Sequence, residues 1–493
     1  ISAPPHSNWE YRLVRRVLLA TFGLLVAALV GLLIAPNFVN WNAHKERVSA
    51  ELSKIAGRAV HIDGALSLRL LPSPTLSASR VRLDNVAGGE ASTMAIFETI
   101  EARVALAPLL EGRFVVESAI LVEPEIIFER LTDGRVNWQF WVTSGAQNVP
   151  DFSRALDIPL AVEFNNVHIQ NGSVTYRNSA ADTIERVKEI DAVVTAASPS
   201  GPFRAKGKMN FRGMALTGEL GLGRIVMDKG ISLNLAIGTT SGADRAELVG
   251  FLKVHSNSLS VRGKLEAGSD DLATTLAAFS GTAVNPYLTR PLELEGALVA
   301  SPNAIAVNDL LFRFGSITGN GAVDIVSGTV PRANVELNIG QIDLDVLRAV
   351  AAQTSPAIVE SAATIDGKEF VLPTNVAAGF EIKIDAVVHN GGIVREVKLI
   401  GELDNGNLAI GQASALLPGG SSLSLSGMFS ALRGEPAFEG RVEAASDNFR
   451  GILQWLNLDV ASVPQGRLRK LIAQAEISAS LREVTITDID VQV

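Results

Sequence analysis

From residue 66 onward the chain keeps returning to a period of two. Leu66, Leu68 and Leu70 alternate with Ser67 and Arg69. Ile231, Leu233, Leu235 and Ile237 alternate with Ser232, Asn234 and Ala236, and Val335, Leu337 and Ile339 with Glu336 and Asn338. Phe380, Ile382 and Ile384 alternate with Glu381 and Lys383. Successive side chains of a strand point to opposite faces, so each run makes a strand with one apolar and one polar face. The pairs Asp133-Gly134, Asn171-Gly172 and Asn405-Gly406 fall between or beside such runs and predict hairpin turns. The chain is therefore expected to be mostly β, with few helices.

Four helical patterns interrupt the strands. Lys45–Ala56 puts Val48, Leu52 and Ile55 at i, i+4 and i+7, and Gly57 stops it. Asp270 stands before Leu272, Leu276 and Phe279; Asp345 before Leu347 and Val350; Asp447 before Phe449, Ile452, Leu453 and Leu456. These three aspartates are expected to cap short helices. An alternating strand, an aspartate and a short helix thus recur at uneven spacing, as a degenerate repeat.

A second feature constrains where the sheet can reside. Val17 to Ala35 is nineteen residues without a charge. As a helix it spans roughly 28 Å, close to the hydrocarbon thickness of a bilayer. Trp9 and Tyr11 precede it and Phe38 and Trp41 follow it, at positions suited to interfacial rings. Arg12, Arg15 and Arg16 crowd its N-terminal side, while the other side has no Lys or Arg before Lys45. The positive-inside rule then predicts a cytoplasmic N-terminus and an exported body. A cleaved signal peptide is the competing reading, but its apolar region is shorter, and here Leu33 and Pro36 flank the expected cut. Gly23, Ala27 and Gly31 form a small-xxx-small stripe of the kind that pairs membrane helices.

Composition excludes several functions. Lys and Arg number 43 against 52 Asp and Glu, and the aromatic fraction is 5%. Neither a phosphate-facing basic surface nor a base-stacking platform is expected, so no nucleic acid is predicted as a partner. There is no cysteine, hence no disulfide, thiolate metal site or cysteine nucleophile. His6, His44, His61, His168, His255 and His389 are scattered, with no HExxH spacing. GxSxG does not occur. Gly201 to Met209 has one residue too many for a phosphate loop, with Met209 where Ser or Thr is needed, and Gly221-Leu-Gly223 is too short for a dinucleotide fingerprint. Asp343 and Asp345 read as a turn and a cap. No catalytic, cofactor or metal residue is nominated, and the expectation is a protein that is not an enzyme. The chain starts at Ile1 and ends in an unfinished alternation from Val484, which reads as a segment of a longer chain.

The N-terminal part carries an ordered set of short motifs. They are Gly57-Arg58, Val60, Gly64, Leu70-Leu-Pro-Ser-Pro74, Val81-Arg-Leu-Asp-Asn85, Ala107-Pro-Leu-Leu110 with Gly112, Glu123-Pro124 and Asp133-Gly-Arg-Val-Asn-Trp138. This set resembles the N-terminal module of AsmA-family proteins. Arg290 to Gly296, Val307 to Gly315 and Gln341 to Asp345 resemble the family's later β repeats, with a weaker likeness between about 180 and 285.

The resemblance implies an inner-membrane protein of the Gram-negative envelope with a periplasmic body, involved in outer-membrane biogenesis. It is similar to bridge-like lipid transfer proteins, in which a long curved antiparallel sheet forms an apolar groove for phospholipid. Carrying a bare sixteen-carbon chain through water costs on the order of 13 kcal/mol at ~0.8 kcal/mol per CH2. A sheet with one apolar face removes most of that cost. On this reading the anchor is Val17–Ala35, including Gly23, Ala27 and Gly31, and the groove-lining candidates are Leu66, Leu68, Leu233, Leu235, Val335, Leu337, Ile382 and Ile384. The expected segments are residues 1–40 (tail and anchor), 41–147 (N-terminal β module) and 148–493 (repeating groove), with Asn148–Pro159 as the boundary. A sealed β-sandwich core gives the same alternation. The alternative function is a structural or assembly factor that affects outer-membrane protein assembly or protein targeting and offers strand edges to clients.

Overall fold

The computed structural model describes residues 40–69, 73–105, 116–138, 164–226 (except 180, 181, 197 and 199), 229–280 (except 256 and 257), 288–348, 372–430, 436–480 (except 465 and 466) and 483–492, together with 15, 18, 19 and 21–24. The chain forms two compact units, Ile1–Ile225 and Val226–Val493. The boundary expected at Asn148–Pro159 lies outside the described residues.

Unit 1 opens with a 3-10 turn at Trp41–His44 and α1 at Lys45–Ala56, which Gly57 ends in a left-handed conformation at φ +65°. A glycine is suited there because a Cβ disfavours positive φ. Val48 and Ala56 of this helix pack on Val60, Ile62 and Val81, the buried cluster of the unit. Among the described residues ten strands follow: β1 (Val60–Ile62), β2 (Leu66–Arg69), β3 (Thr75–Asp84), β4 (Thr93–Val104), β5 (Val116–Val122), β6 (Glu125–Arg130), β7 (Phe164–Asn178), β8 (Thr183–Ala196), β9 (Phe203–Phe211) and β10 (Met214–Leu222). β1 and β2 share β3 as partner, and β7 to β10 form an antiparallel run.

Two expectations are corrected here. Asn171-Gly172 is not a hairpin turn but lies inside β7, where Asn171 has φ +51° and the register to β8 shifts. β7 is long enough to pair in parallel with β5 through residues 166–170 and with β6 through 173–178. Asn171-Gly172 passes the break between those two strands, where Pro124 cannot donate to a ladder. The sheet is thus not purely antiparallel.

Unit 2 is a run of fourteen strands among the described residues. They are β11 (Gly230–Thr239), β12 (Asp244–His255), β13 (Ser258–Ser269), β14 (Leu292–Ser301), β15 (Ala304–Phe314), β16 (Ile317–Val326), β17 (Arg332–Asp343), β18 (Ala377–His389), β19 (Gly392–Asp404), β20 (Asn407–Leu417), β21 (Ser421–Ser430), β22 (Ala437–Ser446), β23 (Leu471–Ser480) and β24 (Val484–Gln492). Each pairs with the next. All these pairs are antiparallel except β17–β18, which is parallel, a second departure from the expected sheet. The Asn405-Gly406 turn is as expected: Asp404 faces Asn407, with φ +47° and +75° at the two central residues.

The short helices occur where predicted, but their caps differ. α2 (Leu272–Ser280) is capped by Asp271, whose Oδ1 accepts the Ala273 amide at 3.1 Å, not by Asp270. α3 (Phe449–Trp455) is capped by Asn448, which accepts the Gly451 amide at 3.0 Å, not by Asp447. In the helical turn at 344–348, Asp343 accepts the Val346 amide at 2.9 Å, while Asp345 accepts the Asn390 amide at 3.1 Å and so holds the β18–β19 turn. A serine explains the one-residue offset. Ser269 and Ser446 end their strands, buried, and their hydroxyls accept the amides of Asp271 and Asn448, which moves the cap one residue on. The repeating signal is therefore Ser-Asp-Asx, with the middle aspartate exposed.

Candidate functional site

Residues opposite each other across a strand pair share a face of the sheet, so the register alone traces what that face presents. In unit 2 one line of partners runs Ile231, Leu252, Val261, Ala300, Ile305, Ile325, Ala333, Ala378, Leu403, Leu408, Phe429, Phe438, Ala479 and Val484, one residue from each of the fourteen strands. Every member is apolar. A parallel line passes through Leu233, Leu298, Val307, Val323, Val335 and Phe380, broken only by glycine. Leu235 begins a third line, with Leu248 and Leu265, that later includes Leu337, Ile382 and Leu399; a fourth contains Ile237, Ile339 and Ile384. The register thus sets Leu233, Leu235, Val335, Leu337, Ile382 and Ile384 on one face of one unit. Leu66 and Leu68 lie in unit 1, on β2, opposite Ala78 and Leu76, and Leu66 is buried.

The lines stay unbroken because bulges absorb slips in the sequence. In β15 the apolar positions change from odd (Ile305, Val307) to even (Leu310, Phe312), and Asp309, at φ +50°, takes up the extra residue. In β20 they change from Leu408 and Ile410 to Ala413 and Ala415 across a register shift. In β24 Asp488, at φ +49°, separates Ile486 from Ile489 and Val491. A one-residue slip without a bulge would turn the rest of each strand to the wrong face.

The opposite face carries the paired charges, with isolated exposed apolar side chains such as Val249 and Phe251 among them. Lys264 bridges Glu266 at 2.7 Å and Glu295 at 3.0 Å, Lys383 meets Glu381 at 2.8 Å, and Arg332 meets Glu402 at 2.8 Å. Lys264 and Lys383 hold the carboxyls of Glu266 and Glu381 below their ordinary values, first through these hydrogen bonds and then through charge. This face is solvent-exposed, so each pair contributes little to stability.

The apolar face is not sealed. Ile231, Leu248, Leu310 and Ile384 are buried, whereas Leu233, Leu265, Val335, Leu337, Ile382, Leu399, Leu425 and Val442 keep part of their surface accessible, and Leu235 is 40% exposed. A two-layer sandwich would bury such side chains nearly completely. Four lines at alternate residues make the face about 20 Å wide, and fourteen strands give it a contour of roughly 60 Å.

Of the expected anchor, Val17, Ala27, Gly31 and Ala35 lie outside the described residues. Leu18, Leu19 and residues 21–24, including Gly23, are helical, with Phe22 67% and Leu24 74% exposed. Among the described residues no helix is long and apolar enough to cross a membrane.

Residues from three motifs of the N-terminal module, Arg58, Asn85 and Asn137, meet in unit 1. Glu129 and Asn137 are completely buried. Asn137 donates to Asn85 Oδ1 at 3.0 Å and to the Ile127 carbonyl at 2.8 Å, and accepts the Glu129 amide at 2.8 Å. The Glu129 carboxylate accepts from Asn85 Nδ2 at 2.7 Å and from the Glu90 amide at 2.8 Å. Arg58 donates to the Asn137 carbonyl, and burial lowers its pKa from the ordinary value. Sequence reasoning singled out Arg58, Asn85 and Asn137 only by resemblance and missed Glu129; their scatter from 58 to 137 hides that they form one knot. The knot is buried at its centre, Glu129 and Asn137, and joins the β3–β4 turn, β6 and the turn after β6. Among the described residues no group of three or more His, Asp or Glu is arranged to hold a metal ion. His61 lies 3.2 Å from Asp84, and His389 is 3.6 Å from Asp345.

No curated protein and no solved structure matches the chain. The model of the AsmA family does match, over residues 11–278, which is more than half of the sequence and takes in the whole N-terminal module. On that match the chain belongs to the AsmA family.

Proposed function

We propose that this is an envelope protein, anchored in the bacterial inner membrane by residues 17–35, that binds phospholipid on the apolar face of unit 2 and conducts it between membranes without catalysing a reaction. Family membership and the large sheet fit an envelope role. The observation that carries the lipid reading is the half-buried apolar face, four residues wide and continuous over fourteen strands. Such a face offers an acyl chain continuous apolar contact along its path and needs no cofactor. The described turns of the N-terminal helix, with their exposed Leu18, Leu19, Phe22 and Leu24, suit a lipid-facing anchor.

A photo-crosslinking residue at position 337 is expected to capture phospholipid in the full chain. Leu337→Asp should leave the fold largely intact, because an open face lets the carboxylate stay hydrated, but should block lipid passage. Glu336→Ala, on the polar face, should do neither. Cooperative unfolding of Leu337→Asp together with no lipid captured at 337 would mean a sealed core. The assembly-factor reading would then stand.

A further inference from the structure

We infer that three phenylalanines laid across glycines set the clearance of the apolar face and restrict it to slender, linear chains. This rests on the lipid reading above and specifies which lipid chemistry the face admits. Phe312 is the direct cross-strand partner of Gly319, and Phe380 of Gly401. Phe438 lies two residues before Gly440 on β22 and diagonal to Gly427 on β21. In each case the ring occupies the space that a side chain on the glycine would need. A methyl group at Gly319 would stand 2.6 Å from Phe312 Cζ, and one at Gly401 2.5 Å from Phe380 Cζ. Methyls at Gly427 and Gly440 would stand 2.9 and 2.6 Å from Phe438 Cζ.

Burial agrees with rings that lie down. Phe312, Phe380 and Phe438 are half-buried on a face that nothing seals, whereas Phe251, on the polar face, is 60% exposed. Rings folded over glycine are a known stabilising device in sheets. Here the device recurs on one face of one unit, on three well-separated strands, where upright rings would obstruct the path between Leu235 and Leu425. A floor of flat rings and short aliphatic groups has low relief. It suits a flexible acyl chain, which settles into shallow relief, and disfavours a rigid polycyclic lipid, which needs depth.

The chain has no cysteine, so Leu337→Cys carries a single photoreactive label at the middle of the face. The full chain so labelled is offered two probes in turn, a linear palmitoyl phospholipid and a sterol. Capture of the linear probe should exceed that of the sterol by ~10-fold. In Phe312→Ala/Phe380→Ala two floor rings become pits, and the preference should fall to ~2-fold through a rise in sterol capture. If that variant does not fold, Phe312→Leu/Phe380→Leu decides. Its branched groups stand off the glycines and should lower linear capture at least ~3-fold while melting as a folded protein. Linear capture with an unchanged preference in the alanine variant, or unchanged capture in the leucine variant, overturns the clearance role and leaves the lipid reading intact. Capture of neither probe by the unsubstituted face overturns both.

Discussion

Asn137→Ala tests whether the N-terminal module is held together by its buried polar knot. The side chain is completely buried and makes three hydrogen bonds, two of them to backbone groups of the β6 segment: it accepts the Glu129 amide at 2.8 Å and donates to the Ile127 carbonyl at 2.8 Å. Truncation deprives both backbone groups of these partners in a place water does not reach. Each such loss costs about 1–3 kcal/mol, so about 3 kcal/mol in all is a moderate expectation. Asn85 suffers less, because its Oδ1 still accepts the Val86 amide at 2.9 Å. Since the chain has two units, a single melting temperature is a poor gauge, and amide hydrogen exchange is the better assay. About 3 kcal/mol corresponds to a roughly 100-fold faster exchange of the Glu129 amide, while amides of β11 to β24 should not change. Asp133→Ala, which removes the exposed bonds from the Arg135 amide at 2.9 Å and its guanidinium at 2.7 Å, serves as control and should leave the Glu129 amide protected. Unchanged exchange at Glu129 in Asn137→Ala would refute the reasoning.

Asn448→Ala should cost α3 its cap, about 0.5–2 kcal/mol, whereas Asp447→Ala should cause no comparable loss; denaturant titrations in which the aspartate proves the more damaging would reverse the assignment. Acid should weaken the fold. Asp345 is held below the ordinary carboxylate value first by the Asn390 amide and then by the Gly391 amide, and Glu266 and Glu381 by their lysines. Depressed folded values mean that the stability these groups contribute is complete above about pH 4 and is lost as pH falls through the folded values. Unfolding midpoints should therefore be flat from pH 8 to about pH 5 and drop below about pH 4, and a rise in stability on acidification would contradict the sign. For topology, a periplasm-active reporter fused at Asn85 should be active, and recovery of a mature N-terminus at Pro36 would identify a cleaved leader in place of an anchor.

The alternation in β11, β17 and β18 was legible because a strand with one wet face must alternate. What escaped were the places where backbone geometry overrides the pattern. Asp309 and Asp488 sit in left-handed bulges that only pairing reveals, since an aspartate between apolar residues looks like an ordinary polar position. Asn171-Gly172 carries the signal of a tight turn, and its positive φ is real, but the surrounding residues find partners on two strands at once and extend instead of reversing. The parallel β17–β18 pair leaves no local trace, because register across a long connection is set by tertiary pairing. The caps were misplaced by one residue because Ser269 and Ser446 compete for the first free amide. The lining candidates of unit 2 could be found one strand at a time, yet their meeting on one face depends on bulges and glycines that the alternation does not encode.

A sheet in which each strand pairs with its successor can be built in the order in which the chain is delivered. Every antiparallel hairpin of unit 2 closes from residues already present and asks nothing of segments still to come, which keeps loop-closure entropy small. One junction differs. β18 pairs with β17 in parallel, so it can join only after residues 344–376 have been made, and the β17 edge stays open until then. An open edge invites pairing with other chains, so that interval exposes a nascent molecule to misassembly.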